Sequence, residues 1–256
     1  IMAIAIVGDV HGCINEVRSL IKKVTDHGVE EIIFVGDLID KGPYSVEVLR
    51  FVKDLDDEMK ISIVEGNHEN KHFRFWSKME SGYTDQALKM KGADDLKRIM
   101  TSAGRPLRCW IKNKTVPYIT RPKLGLTVVH GGITPSIPEL PEDYNNLSGR
   151  QKKRVLRSMY VRHITREEGN MIPFGQERPQ DPFWAEVYDG RFGHIVFGHQ
   201  AWLSGEPKKF PHATGVDLGC VYGGHLCALV MEGNNKEVIT IPAKEKYCEE
   251  VQEVTY

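Results

Sequence analysis

Five short runs along this chain place carboxylate, carboxamide or imidazole side chains beside glycine, mostly just after an apolar stretch. In chain order they are Gly8-Asp9-Val10-His11-Gly12, Gly36-Asp37-Leu38-Ile39-Asp40-Lys41-Gly42, Gly66-Asn67-His68-Glu69, Val129-His130-Gly131-Gly132 and Gly198-His199. Glycine lets the backbone turn sharply next to a ligand without crowding it. The side chains suit two adjacent divalent cations that share a bridging carboxylate. Only a fold that brings these loops to one place can use them in this way.

Short apolar runs rich in β-branched residues precede the first three of these ligand runs. They are Ile4–Val7, Ile32–Val35 and Ile61–Val64, and glycine follows each within two residues. The pattern is typical of buried strands, and amphipathic stretches after the first two indicate alternating β/α units. Because the carboxyl ends of such strands meet at one edge of a sheet, the ligands should converge there. The sequence thus predicts the α/β class.

Each of these features also has an ordinary structural explanation. Gly-Asp alone is a common turn. A lone histidine in an apolar strand, such as His130 or His199, is more often a core or surface residue than a ligand. Five runs in this order, all after predicted strands, are much harder to explain in that way. We therefore interpret them as one site.

The chemistry of the side chains suggests how the site is divided between two cations. An Asp-x-His pair on one loop can chelate a single ion, and Asp37, with two oxygens, is the natural bridge. The expected ligands are Asp9 and His11 for the first cation, Asp37 for both, and Asn67, His130 and His199 for the second. Carboxylate with imidazole suits Mn²⁺ first, with Fe, Zn or Ni as alternatives.

The remaining residues of the runs suggest the catalytic groups. Two cations about 3.5–4 Å apart lower the pKa of a shared water, and the bridging hydroxide would attack phosphorus in line. His68 directly follows a proposed ligand, so it is the best candidate for the general acid that protonates the leaving group. Asp40 would orient this imidazole, and Lys41 would bind phosphoryl oxygens. The alternative for Lys41 is a solvated turn lysine.

Length, charge and cysteine content narrow the class of protein. With 256 residues and a net charge of −1, the chain can bury a sizeable core and has no overall attraction to nucleic acid or membrane. Its five scattered cysteines, without a Cys-x-x-Cys pair, indicate reduced intracellular thiols. The N-terminal apolar run is too short for a signal peptide, and no stretch approaches the roughly 20 apolar residues of a membrane span. We expect a cytoplasmic protein without a membrane partner or a stable nucleic-acid partner.

Two segments look like insertions within a single domain that spans residues 1–256. The first, about 70–123, has 13 Lys/Arg against 4 Asp/Glu, and its apolar spacing predicts helices broken at its glycines and at Pro106. It could form a positive cap that attracts a polyanionic substrate, or an ordinary solvated surface. The second, about 134–193, opens with prolines and carries a basic run, Arg150–Arg154, for which a solvated helix face is expected.

At these residues the chain resembles the calcineurin-like metallophosphoesterases, in particular the branch of PPP-type phosphoprotein phosphatases and diadenosine tetraphosphatases. The family runs are Gly-Asp-x-His-Gly, Gly-Asp-x-x-Asp-Arg-Gly, Gly-Asn-His-Glu/Asp, His-Gly and Gly-His. Their metal ligands, acid and acid-orienting residue match the residues assigned above. Trp184–Gly190, Val196–His199 and Val216–Gly224 also resemble bacterial asymmetrical diadenosine tetraphosphatases and the phosphatase module of RNA-repair polynucleotide kinase-phosphatases. The resemblance covers roughly residues 3–68 and 125–242.

The resemblance implies the family's four-layer αββα sandwich, two sheets flanked by helices, with a helical cap. It implies that the last strands include Leu226–Met231 and Val238–Ile241. Lys41 departs from the family, which has a phosphate-binding Arg there, and this keeps the charge but loses the bidentate geometry. Arg162 is a candidate for a second phosphate contact, or a solvated arginine. Asp217 either supports a metal-binding histidine or caps a turn.

The expected activity is hydrolysis of phosphoric esters at a dimetal centre. Three substrates compete: a phosphoprotein, a dinucleoside tetraphosphate and an RNA 2′- or 3′-terminal phosphate. PPP-like Ser/Thr phosphomonoesterase activity ranks first, with tetraphosphatase activity close behind. A non-catalytic scaffold would lack His68 or ligands, and all are present. A nucleic-acid-binding module built on residues 70–123 would bind RNA or DNA without metal and with steep salt dependence.

Overall fold

Two β-sheets pack against each other, with helices on the outside, in a layered α/β sandwich. The computed structural model describes residues 3–233 and 235–249 and the backbone of Val254–Thr255. No helix within these residues is long and apolar enough to cross a membrane. The predicted α/β class is confirmed.

The strands of the described residues form two main sheets and one small pair. In chain order the strands are β1 (Ala3–Val7), β2 (Glu31–Phe34), β3 (Lys60–Val64), β4 (Thr115–Val116), β5 (Tyr118–Arg121), β6 (Leu126–Val129), β7 (His194–Phe197), β8 (Ala201–Trp202), β9 (Lys208–Phe210), β10 (Ala213–Gly215), β11 (His225–Glu232), β12 (Asn235–Pro242) and β13 (Val254–Thr255). The first sheet has the order β12-β11-β1-β2-β3-β4, in which β1 to β4 are parallel. The second has the order β5-β6-β7-β10-β9, and β8 pairs with β13.

The helices divide between the two sheets. They are α1 (Ile14–Asp26), α2 (Ser45–Glu58), α3 (Asn67–Glu80), α4 (Thr84–Leu88), α5 (Ala93–Lys114), α6 (Gly149–Arg157) and α7 (Trp184–Val187), with short 3₁₀ segments at Pro122–Leu124, Tyr144–Asn146, Ser158–Tyr160 and Cys220–Tyr222. Residues of α1 to α5 share a core with the first sheet, and residues of α6 and α7 share the core that contains the second sheet.

Residues of β1 alternate between these two cores, which explains why the whole strand is apolar. Ala3, Ala5 and Val7 belong to the core under the helices, whereas Ile4 and Ile6 belong to the core between the sheets. Successive side chains of a strand point to opposite faces, so a strand covered on both sides needs apolar residues at every position. This double burial places the carboxyl end of β1 next to the second sheet.

The basic segment expected to be a helical insertion at about 70–123 is helical only as far as Lys114. Gly82 separates α3 from α4, Gly92 precedes α5, and a break interrupts α5 at Gly104, where φ is 71°. The residues after α5 form β4 and β5, the edge strands of the two sheets. The helices and their breaks at Gly82, Gly92 and Gly104 agree with the sequence expectation. The expectation that the whole segment is helical was wrong for residues 115–121, because strands of two and four residues give too short an alternation to detect.

The second segment, about 134–193, contains α6 and α7 joined by long loops. Ser148 and Gln151 form a capping box at the start of α6, in which Ser148 Oγ accepts the N–H of Gln151 at 3.3 Å. Val155 is the buried residue of this helix, while the basic run lies at the surface or partly exposed.

Candidate metal centre and active site

The proposed ligands follow the carboxyl ends of strands from both sheets. Asp9 and His11 follow β1, Asp37 follows β2, Asn67 opens α3 after β3, His130 follows β6 and His199 follows β7. The structure therefore brings all six predicted ligands to the same edge of the sandwich.

Asp37 lies at the centre of this group. Its Oδ2 oxygen is 3.6 Å from Nε2 of His11 and 3.4 Å from Nε2 of His130. Ligand atoms of Asp37 form one cluster with His11 and His68 and a second with His130 and His199, each within 4.8 Å. Two clusters that share one buried carboxylate are the arrangement expected of a bridging ligand.

Backbone carbonyls orient two of the imidazoles. Nδ1 of His11 lies 3.0 Å from the carbonyl oxygen of Ile39, and Nδ1 of His130 lies 3.0 Å from that of Val35. Because a carbonyl oxygen can only accept, each Nδ1 carries the proton and donates it, and Nε2 is left available to a metal. Burial, together with the charge of Lys41, lowers the pKa of His11 and favours the neutral form that binds metal.

Asp9 is held beside these residues by the second sheet. Its Oδ2 accepts the backbone N–H of His199 at 3.1 Å and lies 3.9 Å from Nε2 of His11. Burial raises the pKa of Asp9, and repulsion by the carboxylates of Asp217 and Asp37 raises it further. A divalent cation bound here would relieve that repulsion.

The remaining two ligands complete the second cluster. Oδ1 of Asn67 lies 2.9 Å from Nε2 of His130. In the described structure the buried Nε2 atom of His199 has no hydrogen-bond partner. Buried carboxylates, a carboxamide and imidazoles that converge in this way fit divalent cations with mixed oxygen and nitrogen preference.

The backbone at the site adopts an uncommon conformation. Five non-glycine residues of the described chain have positive φ, between 45° and 69°, and all five are site residues proposed from the sequence: His11, Asp37, Asp40, Lys41 and His199. Such conformations cost energy and persist only where the surrounding structure enforces them. Their concentration here indicates a functional constraint on these loops.

Two glycines allow the loops to approach each other closely. A Cβ atom on Gly66 would overlap Oδ1 of Asp37, and one on Gly198 would overlap Oδ1 of Asp9. The glycines beside the ligands are therefore required by close contact with carboxylates on other loops.

His68, the proposed general acid, forms a hydrogen bond with Asp40, the residue proposed to orient it. Nδ1 of His68 lies 2.8 Å from Oδ2 of Asp40, whose other oxygen lies 2.6 Å from Nε2 of His72. Burial opposes ionisation of Asp40, but the bonds from His68 and His72 outweigh it and hold its pKa well below the usual value. Sequence reasoning missed His72, although its position four residues after His68 on α3 could have indicated it.

Glu69 is a second site residue to which the sequence assigned no role. Its carboxylate is fully buried and accepts the backbone N–H groups of Asp37, Leu38 and Gly66 at 2.7, 2.8 and 3.0 Å. Glu69 thereby caps α3 and fixes the loop that carries Asp37. Burial and repulsion by Asp37 raise the pKa of Glu69 to about 8.

The two proposed phosphate contacts both lie beside this cluster. Nζ of Lys41 is 3.3 Å from Nε2 of His11 and lies over the ring of Tyr222 at 5.1 Å. Arg162 donates from Nη2 to the carbonyl oxygen of His199 at 3.2 Å.

Oδ1 of Asp217 accepts the N–H of Gly219 at 2.9 Å, so Asp217 caps a turn.

Fold and site together define a metal-dependent phosphoesterase. The sequence profile of the calcineurin-like phosphoesterases matches residues 2–229, and the chain belongs to that family. It is 30% identical over 263 residues to the asymmetrical bis(5′-nucleosyl)-tetraphosphatase PrpE of Bacillus subtilis strain 168, covering 97% of this chain and 98% of the relative. It is 29% identical over 271 residues to the symmetrical bis(5′-nucleosyl)-tetraphosphatase of Psychromonas ingrahamii, covering 89% and 93% of the two chains.

A solved structure supports the same fold. The crystal structure of a candidate diadenosine tetraphosphatase aligns with a TM-score of 0.67 and 24% identity, and the alignment covers 94% of each chain. The sandwich implied by the family runs, and the hydrolysis of phosphoric esters as the reaction class, are thus confirmed.

Proposed function

We propose that this chain hydrolyses dinucleoside tetraphosphates with the help of two divalent cations. The pair of ligand clusters that share Asp37 carries the proposal, in a chain whose relatives are named tetraphosphatases along nearly its whole length. The sequence alone ranked a PPP-like phosphomonoesterase first, and the relatives favour the alternative. Asymmetrical cleavage, to a nucleoside triphosphate and a monophosphate, is the form we propose. We also propose that the protein is cytoplasmic, as expected from the sequence.

Each proposed ligand can be assigned to one of the two cations or to both. Asp9 and His11 would hold one cation, Asn67, His130 and His199 the other, and Asp37 both. We propose Mn²⁺ first, with Fe, Zn or Ni as alternatives, because imidazole-rich sites suit such cations better than Mg²⁺. When bound, the pair lowers the pKa of water and neutralises charge on the phosphate oxygens.

Three other residues of the site act on the substrate, and Asp40 acts through one of them. His68 donates a proton from Nε2 to the leaving oxygen, because Nδ1 is occupied by Asp40. Asp40 keeps the ring in position through its hydrogen bond to Nδ1. Lys41 and Arg162 supply positive charge to the phosphate oxygens on two sides of the cluster.

A substrate panel with controlled metal content tests this proposal. Protein stripped with EDTA would be assayed with and without Mn²⁺ against diadenosine tetraphosphate, a phosphopeptide, 3′-phosphorylated RNA and p-nitrophenyl phosphate, with nucleotide products separated by chromatography. We expect no turnover after chelation, recovery with Mn²⁺, and the highest kcat/KM on diadenosine tetraphosphate with ATP and AMP as products.

Two results would contradict the proposal in different ways. Full activity in excess EDTA would contradict the metal-dependent mechanism. If kcat/KM were higher on the phosphopeptide or the RNA than on diadenosine tetraphosphate, the proposed substrate would be wrong. The metal-dependent mechanism would still apply.

A further inference from the structure

A cavity of about 280 Å³ lies between the proposed catalytic residues and the basic helices. Asp40, Lys41 and His68 border it on one side, and Lys71 of α3 with Leu96 and Arg98 of α5 border it on the other. The structure thus shows a concave space, bordered by the site and by the basic segment, that the cluster of proposed ligands does not explain.

The cavity is lined by three cations, Lys41, Lys71 and Arg98, and by two carboxylates, Asp40 and Asp95. Asp40 is bound by two imidazoles, and the exposed residues Asp95 and Arg98 pair with each other at 3.2 Å. The excess positive charge is therefore that of Lys41 and Lys71. Within the described residues Lys71 has no carboxylate partner. Such a space favours a polyanion.

The orientation of His68 indicates which part of a substrate the cavity receives. Nε2 of His68 is 3.9 Å from Oδ2 of Asp37 and therefore faces the proposed ligands, while the residue also borders the cavity. The leaving oxygen must lie near Nε2 to accept a proton. The part of the substrate attached to that oxygen then extends past His68 towards Lys71.

We propose that this cavity binds the polyphosphate of the departing nucleotide, with Lys71 and Arg98 contacting phosphates beyond the bond that breaks. This inference rests on the proposed tetraphosphatase function. Water loses one proton to solvent as its oxygen bonds to the phosphorus next to the nucleoside of the monophosphate product, and the bond from that phosphorus to the bridging oxygen breaks. The bridging oxygen takes the proton of His68 and leaves with the phosphates held in the cavity. In asymmetrical cleavage the triphosphate is then the leaving group, and the monophosphate keeps the oxygen of water.

Kinetics of Lys71→Ala and Arg98→Ala test the contacts, with Lys97→Ala as the matched control. Lys97 is an exposed cation next to Arg98 on the same helix, but it does not line the cavity. We expect each cavity variant to raise KM for diadenosine tetraphosphate roughly ten-fold, the effect of one lost charged hydrogen bond. The rise should be several-fold smaller for p-nitrophenyl phosphate, whose leaving group carries no phosphate, and Lys97→Ala should match the wild type.

Hydrolysis in ¹⁸O-labelled water provides a second readout on the wild-type enzyme. Mass spectrometry should find the label in AMP and not in ATP. Label in ATP would overturn the inference, as would equal KM values for the two cavity variants and Lys97→Ala on diadenosine tetraphosphate. Either of these two results would contradict the cavity assignment but not the tetraphosphatase function. A wild type that hydrolyses p-nitrophenyl phosphate but not diadenosine tetraphosphate would instead refute the function, and the cavity assignment with it.

Discussion

His68 is the residue for which geometry gives the most specific chemical role. Its Nδ1 is fixed by Asp40 and its Nε2 faces the ligand cluster. Replacing it with Ala should leave the metal content unchanged and lower kcat on diadenosine tetraphosphate by roughly 10²–10⁴-fold, as expected for loss of a general acid. The loss should be smaller with p-nitrophenyl phosphate, since its leaving group needs no proton. Equal losses on both substrates would show that His68 acts as a ligand or a structural residue.

Gly66 tests whether close packing of the loops keeps Asp37 in place. A methyl group at residue 66 would overlap Asp37 Oδ1, so Gly66→Ala should displace the carboxylate. We expect roughly 10²-fold lower kcat/KM, the cost of misplacing a reacting group by about 1 Å, together with weaker metal retention on dialysis. Gly149→Ala is the control, because a methyl group there meets nothing within 4 Å. Normal activity in Gly66→Ala would mean that the loops tolerate the displacement.

At the residue scale, the sequence predicted which proposed ligands lie close together but not the residues that hold them in place. Glycine-flanked runs after apolar strands indicate the proposed ligands, because close loop contact and metal binding both restrict residue type. His72 and Glu69 act through contacts with Asp40 and with the Asp37 loop, more than 30 positions away. No local pattern records contacts over such separations, apart from the spacing of His72 from His68 on α3.

Among the secondary-structure elements, β2 and β5 are tied together by a buried carboxylate. Glu31 accepts hydrogen bonds from Lys60 at 3.0 Å and Ser62 at 2.9 Å in β3, and pairs with Arg121 at the end of β5. These bonds connect neighbouring strands of the first sheet with an edge strand of the second. Burial alone would raise the pKa of Glu31, but the bond from Arg121 and the other two donors lower it.

Glu31→Gln should therefore lower the free energy of unfolding by about 1.5–3 kcal/mol at pH 7, the value of charged hydrogen bonds. The Glu31 contribution is complete above the ordinary pKa of 4.5 and is lost as the pH falls through the lowered folded-state value. The difference between wild type and variant should thus shrink in acid. Urea unfolding at several pH values measures this difference in the free energy of unfolding. Glu30→Gln is the control, because Glu30 is the exposed neighbour of Glu31. A pH-independent difference would exclude the ion pairs as its origin.

Strand prediction succeeded where a strand is largely buried. β1 to β3 are within a residue of the predicted runs, because burial keeps those runs apolar except for Ser62 in β3. β4 and β5 were missed because they are short edge strands around Pro117 in a segment dominated by basic residues. Local propensity alone would end a helix at Gly104 and Pro106. Helix α5 instead continues past both residues, with a local break at Gly104.

For the whole molecule, the stacking of the two sheets creates the site. Asp37 is carried by the first sheet, whereas His130 and His199 are carried by the second, so the second cluster forms only when the sheets pack. Periodicity could predict the strands but not their division into two sheets, because the order of strands depends on contacts between distant segments. The family resemblance supplied that arrangement, and the place of the basic helices beside His68 came from the structure.

Metal content of Asp37→Asn tests the shared carboxylate most directly. Asp37 contributes to both clusters, whereas Asp9 is proposed to serve one cation. After loading with Mn²⁺ and dialysis, atomic spectroscopy should find about two metal ions per wild-type chain, as a two-metal site requires. Asp37→Asn should retain the fewest ions and lose more turnover than Asp9→Asn. Two tightly held ions and normal turnover in Asp37→Asn would contradict the account.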